Sequence, residues 1–417
     1  MKTKKLVTRV LDTSWLSEQA GRPVQAARLR IKPRTSLVVG LDDPDGHPVG
    51  WLRLLWPISH NKAARTSREA RELGLETTEH DVGELLVQAG PLPADPKLLT
   101  RIDAATAAGQ LGRWGSAQVL RYNPLRRIVV RDGMRVVRVA AGSGQDVAFD
   151  RFIAEVVDTP PRLDDGTQAG VSVHAFTGDQ DLSDLLAGSW SSRSASDSDG
   201  SWLSRAASDS GRSWLSRTVS EANSPCRNHL VVDRDTAPGA PDPVRAAGAM
   251  LARLHAADVP ADLSRALAGR APDPVEQGLA HAALLDDLAP TLAQRMRQVV
   301  ARLPQAASAM PVLSHGDLSP DQVLTTRGGD RVWLTDFDRA CLAPRAVDLG
   351  SFLAVLDDAA FLDGYRDGGG QLPPADQLRR AVAASLILRA ADPLRRVSRD
   401  WEQDIAANLD QILEVLT

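Results

Sequence analysis

Apolar and polar residues alternate in the first part of the chain. They recur every three to four residues in the last part, so strands are predicted early and helices late. The runs 27–41 (ARLRIKPRTSLVVGL) and 47–56 (HPVGWLRLLW) flank Asp42-Asp43-Pro44-Asp45-Gly46, which predicts a hairpin with a long loop. A helical stretch follows over 60–75. The runs 117–131 and 134–140 flank Asp132-Gly133, a turn pair that favours a tight hairpin. Leu29-Arg30-Ile31-Lys32-Pro33 aligns with Leu120-Arg121-Tyr122-Asn123-Pro124, and the run after each proline falls in register. The likeness fits a distant internal duplication; it equally fits two ordinary hairpins sharing proline-led turns. A helix over 146–157, a strand over 171–178 and a short helix over 181–188, capped by Asp181 or Ser183, come next. Helical periodicity then marks 241–257, 272–289 and 291–303, and again 347–365, 374–391 and 398–416. A short β-like stretch, 312–338, interrupts these helices.

Residues 189–224 fit neither period. They are three tandem 12-mers, SWSSRSASDSDG, SWLSRAASDSGR and SWLSRTVSEANS, with Trp190, Trp202 and Trp214 in equivalent places. A 12-residue step overshoots whole α-turns by about a third of a turn, so the tryptophans share no helix face. Fourteen of the 36 residues are serine. A segment that polar cannot offset its ordering entropy, and it reads as a disordered surface insertion. The competing reading is an arm that docks through its tryptophans.

The length of 417 residues allows two or three domains. A net charge of −4 gives no basic face for nucleic acid. No apolar run spans a bilayer, and the basic start lacks the apolar core of a secretory signal. Cys226 and Cys341 make no disulfide framework. These features predict a cytoplasmic protein with neither nucleic acid nor membrane as partner. Only six lysines are present, the last at Lys97, which excludes a lysine-dependent mechanism in the last three quarters of the chain.

Chemistry concentrates in 312–338. The stretch reads as a strand, the polar loop Ser314-His315-Gly316-Asp317-Leu318-Ser319-Pro320-Asp321-Gln322, a strand, a glycine-rich turn, and a strand ending in Asp336-Phe337-Asp338. A hairpin here brings Asp317 and Asp336 together, with the neutral amide of Gln322 between them. Phosphoryl transfer needs such a set: one carboxylate to orient the attacking hydroxyl, and a second with an amide oxygen to hold Mg²⁺.

The motifs HGDLSPDQVL, LTDFDRA and AVDLGSFLA resemble the aminoglycoside phosphotransferase and choline kinase family, relatives of protein kinases. AAGAMLARLHAA, VSVHAFTGDQDL and FLDGY add weaker likenesses. The resemblance covers roughly 117–185 and 240–392. It implies an α+β, bilobal protein-kinase-like fold: a β-rich nucleotide lobe over 111–175 and a helical lobe over 176–417, carrying the repeats as an insertion. Residues 1–110 fall outside it and are expected to form a β-containing cap, by analogy with maltokinase-like members. The resemblance implies ATP and Mg²⁺ as cofactors, Asp317 as catalytic carboxylate, and Gln322 and Asp336 as Mg²⁺ ligands. Adenine is expected near Val173 and Phe176.

Three departures stand out. Gln322 replaces the usual Asn, as in maltokinase-like members. Arg138 stands where the family has a strand lysine, and is expected to contact nucleotide phosphates. The turn Asn123–Arg127 takes the place of a glycine-rich phosphate loop. Among supporting residues, His315 reads as a loop-structuring hydrogen bonder and Asp348 as a residue that fixes local backbone as a helix cap. Asp338 is either a supporting acid or a strand end, and His255 a satisfied core histidine. The leading function is ATP/Mg-dependent phosphotransfer to a hydroxyl of a small molecule: a sugar, an aminoglycoside or an amino alcohol. The alternatives are a Ser/Thr kinase of a ribosomal peptide, in lanthipeptide-type maturation, and a non-catalytic nucleotide-binding regulator.

Overall fold

The computed structural model describes residues 3–112, 114–115, 117–142, 146–191 and 242–417. The repeats from residue 192 onward, and Cys226, lie outside the described residues.

The first sheet is antiparallel and holds β1 (Gln25–Lys32), β2 (Ser36–Asp42), β3 (Pro48–Leu55), β4 (Thr78–Val82) and β5 (Leu85–Pro91), in the order β1-β2-β3-β5-β4. The continuous run 27–41 is two strands, because Pro33 cannot continue the ladder and Arg34 turns at φ 55°. Alternation gives the sheet two faces. Leu37, Val39, Leu52, Leu54 and Val87 pack into a core with Leu6, Val7 and Val10 of the first helix, Thr3–Leu11. Full burial of each such side chain is worth about 1.5–3 kcal/mol. The other face carries Arg30, Lys32, Ser36, Val38 and Arg53. Arg53 is buried there, donating to Gln88 of β5 (2.8 Å) and to Thr66 (2.9 Å) of helix Asn61–Glu72.

The second sheet repeats this plan. β6 (Gln118–Asn123), β7 (Arg127–Asp132), β8 (Arg135–Ala140) and β9 (Val171–Ala175) lie in sequence order, all antiparallel. Again one apolar run is split after a proline, with Leu125 at φ 60°. Again a helix, Val147–Val156, follows the third strand; β9 then pairs with that strand directly, whereas in the first sheet β4 intervenes along the chain and β5 makes the pairing. β5 stands to β3 as β9 stands to β8. The registers agree as well. Val38 faces Arg30 and Arg53, as Val129 faces Arg121 and Arg138. Of the two sequence readings of Pro33 and Pro124, the duplicated plan is the one the topology carries.

Among the described residues the regular structure that remains is helical apart from two small sheets: β11 (Pro311–Ser314) with β14 (Cys341–Pro344), and β10 (Gln180–Asp181), β12 (Val323–Thr325) and β13 (Val332–Leu334) in the order β10-β12-β13. Asp181, not Ser183, accepts the N–H of Asp184 (2.9 Å) at the start of helix Leu182–Ser191. The helix expected over 347–365 is two, Ala346–Leu353 and Ala359–Asp367. Asp358 caps the second by accepting the N–H of Ala360 (2.9 Å). The strand expected over 171–178 stops at Ala175. The described chain is thus α+β: two antiparallel sheets come first and a mostly helical part follows.

Candidate active site

The loop after β11 is positioned from beneath by one carboxylate. Asp348, fully buried, accepts the backbone N–H of His315 (2.7 Å) and of Gly316 (2.8 Å). Its Oδ2 also meets His255 Nε2 at 3.1 Å, and His255 Nδ1 meets the Tyr365 hydroxyl at 2.8 Å. Burial by itself would push the Asp348 carboxyl up. The bond and charge of His255, the charge of His315 and the Gly316 N–H outweigh it and hold the group below the usual carboxylate range. His255 is therefore a satisfied core histidine. Asp348 fixes backbone, but as an anchor for the loop 33 residues earlier and not as a helix cap: the residue preceding its helix is Arg345. His315 structures the loop through Nε2, which meets the Thr335 carbonyl at 2.9 Å, and its ring packs 4.7 Å from that of Phe337. Gly316 sits at φ 84°, where a Cβ would come within 2.1 Å of the Arg339 carbonyl oxygen.

That anchoring presents Asp317 to a cleft. Its Oδ1 accepts from Arg389 Nη2 (2.8 Å), at the end of helix Ala375–Arg389, and its Oδ2 lies 3.6 Å from Arg339 Nε. Arg389 also donates to Ser351 (2.9 Å). Gln322 lies three residues beyond Ser319, and its side-chain oxygen accepts the Ser319 N–H (3.2 Å) in a reciprocal cap. The β12–β13 hairpin carries Asp336 back beside this loop, since Thr335 N–H donates to the Gln322 carbonyl (3.0 Å). Asp336 itself is left-handed, φ 65°, which turns the chain at the strand end.

Asp336 is held by an arginine from the second sheet. Arg127 grips both its oxygens, at 2.6 and 2.7 Å, and reaches Asp338 at 3.0 Å. Arg138 pairs with Asp338 too. Burial would raise the Asp336 carboxyl; the Arg127 fork, with Arg138 and His315 beyond it, holds it below the usual range. Asp338 thus pairs with Arg127 of β7 and Arg138 of β8, and Arg138 lies toward the acids and not on an outer face of the sheet.

Asp317, Gln322, Asp336, Asp338 and Arg138 all line one cleft of about 830 Å³. Val173 and Phe176 do not. Val173 is buried in the second sheet's core. Its N–H goes to Asp164 (2.7 Å), and its carbonyl accepts from Leu163 (2.7 Å). The Phe176 N–H donates to Met134 (2.8 Å), and the Arg131 guanidinium lies 3.7 Å over its ring. The expectation of adenine near Val173 and Phe176 thus draws no support from the lining of this cleft: the Val173 N–H and carbonyl and the Phe176 N–H already have partners.

Several site residues have no local signature in the sequence. Arg127 and Arg389 act from far along the chain. Asp95, from the amino-terminal segment, is buried and accepts the Tyr122 hydroxyl (2.6 Å) and the Leu125 N–H (2.8 Å). It thereby fixes the turn that replaces a glycine-rich loop. Lys32, Lys62 and Lys97 of the first segment line the same cleft as the acids. Among the described residues no helix is long and apolar enough to cross a membrane.

Comparison with known proteins bears on this segment. No curated protein sequence matches the chain. Similar solved structures include a choline/ethanolamine kinase family protein from Mesorhizobium loti, 14% identical, covering 76% of this chain and 94% of that one at a TM-score of 0.46. Another is a GDP complex of aminoglycoside 2'-phosphotransferase-IIIa, 14% identical, covering 75% and 97% at 0.46. An ethanolamine kinase of Plasmodium vivax is 12% identical, covering 74% and 86% at 0.43. The sequence profile of the phosphotransferase enzyme family matches residues 225–384, the stretch that holds Asp317, Gln322, Asp336 and Asp348. Over that stretch, which is less than half of its length, the chain is similar to the phosphotransferase enzyme family.

Proposed function

We propose that the chain transfers the terminal phosphoryl group of ATP, with Mg²⁺, to an alcohol hydroxyl of a small molecule. The observation that carries this reading is the convergence of Asp317, Gln322 and Asp336 on one cleft, with Asp317 on a loop held by Asp348. Arg389 occupies Oδ1 of Asp317, so the acceptor would approach Oδ2, where the more distant Arg339 Nε at 3.6 Å must give way. In the step, the acceptor oxygen attacks the γ-phosphorus as its proton passes to Asp317. The bond from phosphorus to the ADP oxygen breaks, and ADP leaves.

The donor set suits Mg²⁺, which takes hard oxygen ligands. Asp336 and Gln322 would hold it, and when bound it neutralises charge on the transferring phosphates. Both Asp336 oxygens are gripped by Arg127, so binding there requires the Arg127 fork to shift. Arg127 is then free for phosphate oxygens, for which a planar fork is well shaped. Arg138 supports the same role from β8. The test is turnover by Asp317→Asn. ATP affinity should stay within about twofold while turnover falls by about 10²–10⁴-fold, the range of a lost general base. Near-normal turnover would refute the assignment.

A further inference from the structure

The cleft carries far more positive charge than a nucleotide requires. Eleven lysines and arginines line it against three aspartates, a surplus of eight. A magnesium–nucleotide complex brings only about two net negative charges. Arg127 and Arg138 already face Asp336 and Asp338, and Arg339 faces Asp317. Of the other eight, Arg121, paired with Asp321, and Arg126 belong to the second sheet. Six sit on the amino-terminal segment: Arg30 and Lys32 on β1, Arg53 on β3, Lys62 and Arg65 on helix Asn61–Glu72, where Arg65 pairs with Glu69, and Lys97. Arg30, Lys32 and Lys97 have no carboxylate partner among the described residues.

This half of the cleft is built, not incidental. β1, β2 and β3 repeat the plan of β6, β7 and β8, and Arg30 and Arg53 hold the places that Arg121 and Arg138 hold in the second sheet. All four side chains line the same cleft. The two sheets meet closely at the turn: a Cβ on Gly40 would lie 3.1 Å from Pro124. Arg126, on that turn, has its pKa pushed down by desolvation and then by Arg30 and Arg339, so it too sits among cations without a neutralising anion.

We propose that the amino-terminal segment forms a second anion site beside the nucleotide phosphates, and that the acceptor is a small molecule already bearing a phosphate group. The inference rests on the phosphotransferase reading and adds the substrate class to it. Lys32, Lys62 and Arg30 hold the existing phosphate. The free hydroxyl of the same molecule meets Asp317, loses its proton to it and takes the γ-phosphoryl group, giving a bisphosphorylated product and ADP. A cavity of about 830 Å³ suits a small ligand and not a polymer.

The test is calorimetric titration of the full chain, saturated with Mg²⁺ and a non-hydrolysable ATP analogue. The probes are glycerol 3-phosphate and fructose 1,6-bisphosphate, with glycerol and fructose as uncharged controls. At least one phosphorylated probe should bind where its control does not. Lys32→Ala with Lys62→Ala should weaken that binding at least tenfold and leave analogue affinity within about twofold. Both lysines are exposed, so the core is untouched. No phosphate-dependent binding to the nucleotide-loaded protein would overturn the proposal. So would a double variant that leaves probe binding unchanged, or one that loses the analogue equally, which would assign these lysines to the nucleotide. Failure of the analogue to bind the unsubstituted protein would instead overturn the phosphotransferase reading.

Discussion

Replacing Asp348 with asparagine tests how the active-site loop is held. The carboxylate accepts two backbone N–H groups, at 2.7 and 2.8 Å, and a histidine nitrogen at 3.1 Å, all in full burial. Asparagine keeps the shape, loses the charge, and turns an NH₂ toward one of those donors. A hydrogen bond to a charged group contributes about 1.5–3 kcal/mol net. Losing one and weakening another gives about 3–5 kcal/mol, the size expected when a buried charge pair is broken. Urea unfolding at pH 7 should show that loss. The pH dependence has a definite sign. The folded carboxyl is held below its usual value, so its contribution is complete above the unfolded pKa of about 3.9 and disappears as pH falls through the folded pKa. The gap between wild type and Asp348→Asn should therefore be full at pH 7 and narrow below about pH 4. Turnover should fall as well, since Asp317 adjoins the anchored Gly316, and small misplacements cost about 10²-fold. A gap under about 1 kcal/mol at pH 7, or one that persists unchanged in acid, would refute the reasoning.

Asp336→Ala should abolish Mg²⁺-dependent nucleotide binding in calorimetry, whereas Gln322→Asn should keep activity that Gln322→Ala loses. Equal behaviour of the two Gln322 variants would remove Gln322 from the ligand set. Burial, and then the charge of Asp348, push the Cys341 thiol up to about 12. Iodoacetamide at pH 8 should leave the Cys341 peptide unlabelled until urea is added; native labelling within minutes would contradict this.

What could be read from the sequence was local. The Ser314–Gln322 loop and the Asp336 strand end are contiguous motifs, and a hairpin is enough to bring them together. Pro33 and Pro124 were visible as turn signals, but the runs around them read as single strands because apolar residues resume soon after each proline. The duplicated plan showed only as the short match around those prolines, because strand pairing beyond it depends on register that sequence similarity no longer carries. Arg127, Arg389 and Asp95 act across distances along the chain that no periodicity reports. The three cap lysines were visible as residues, but their reach into the cleft follows from the packing of two sheets.

The most direct test of the central claim is transfer of label from γ-³²P-ATP, with Mg²⁺, to a panel of polyols, sugar phosphates, aminoglycosides and amino alcohols, by wild type and Asp317→Asn side by side. The account predicts an acceptor labelled by wild type, with Asp317→Asn slower by about 10²–10⁴-fold at unchanged ATP affinity. An acceptor labelled equally well by both proteins, or a wild-type chain that binds no nucleotide, would contradict it.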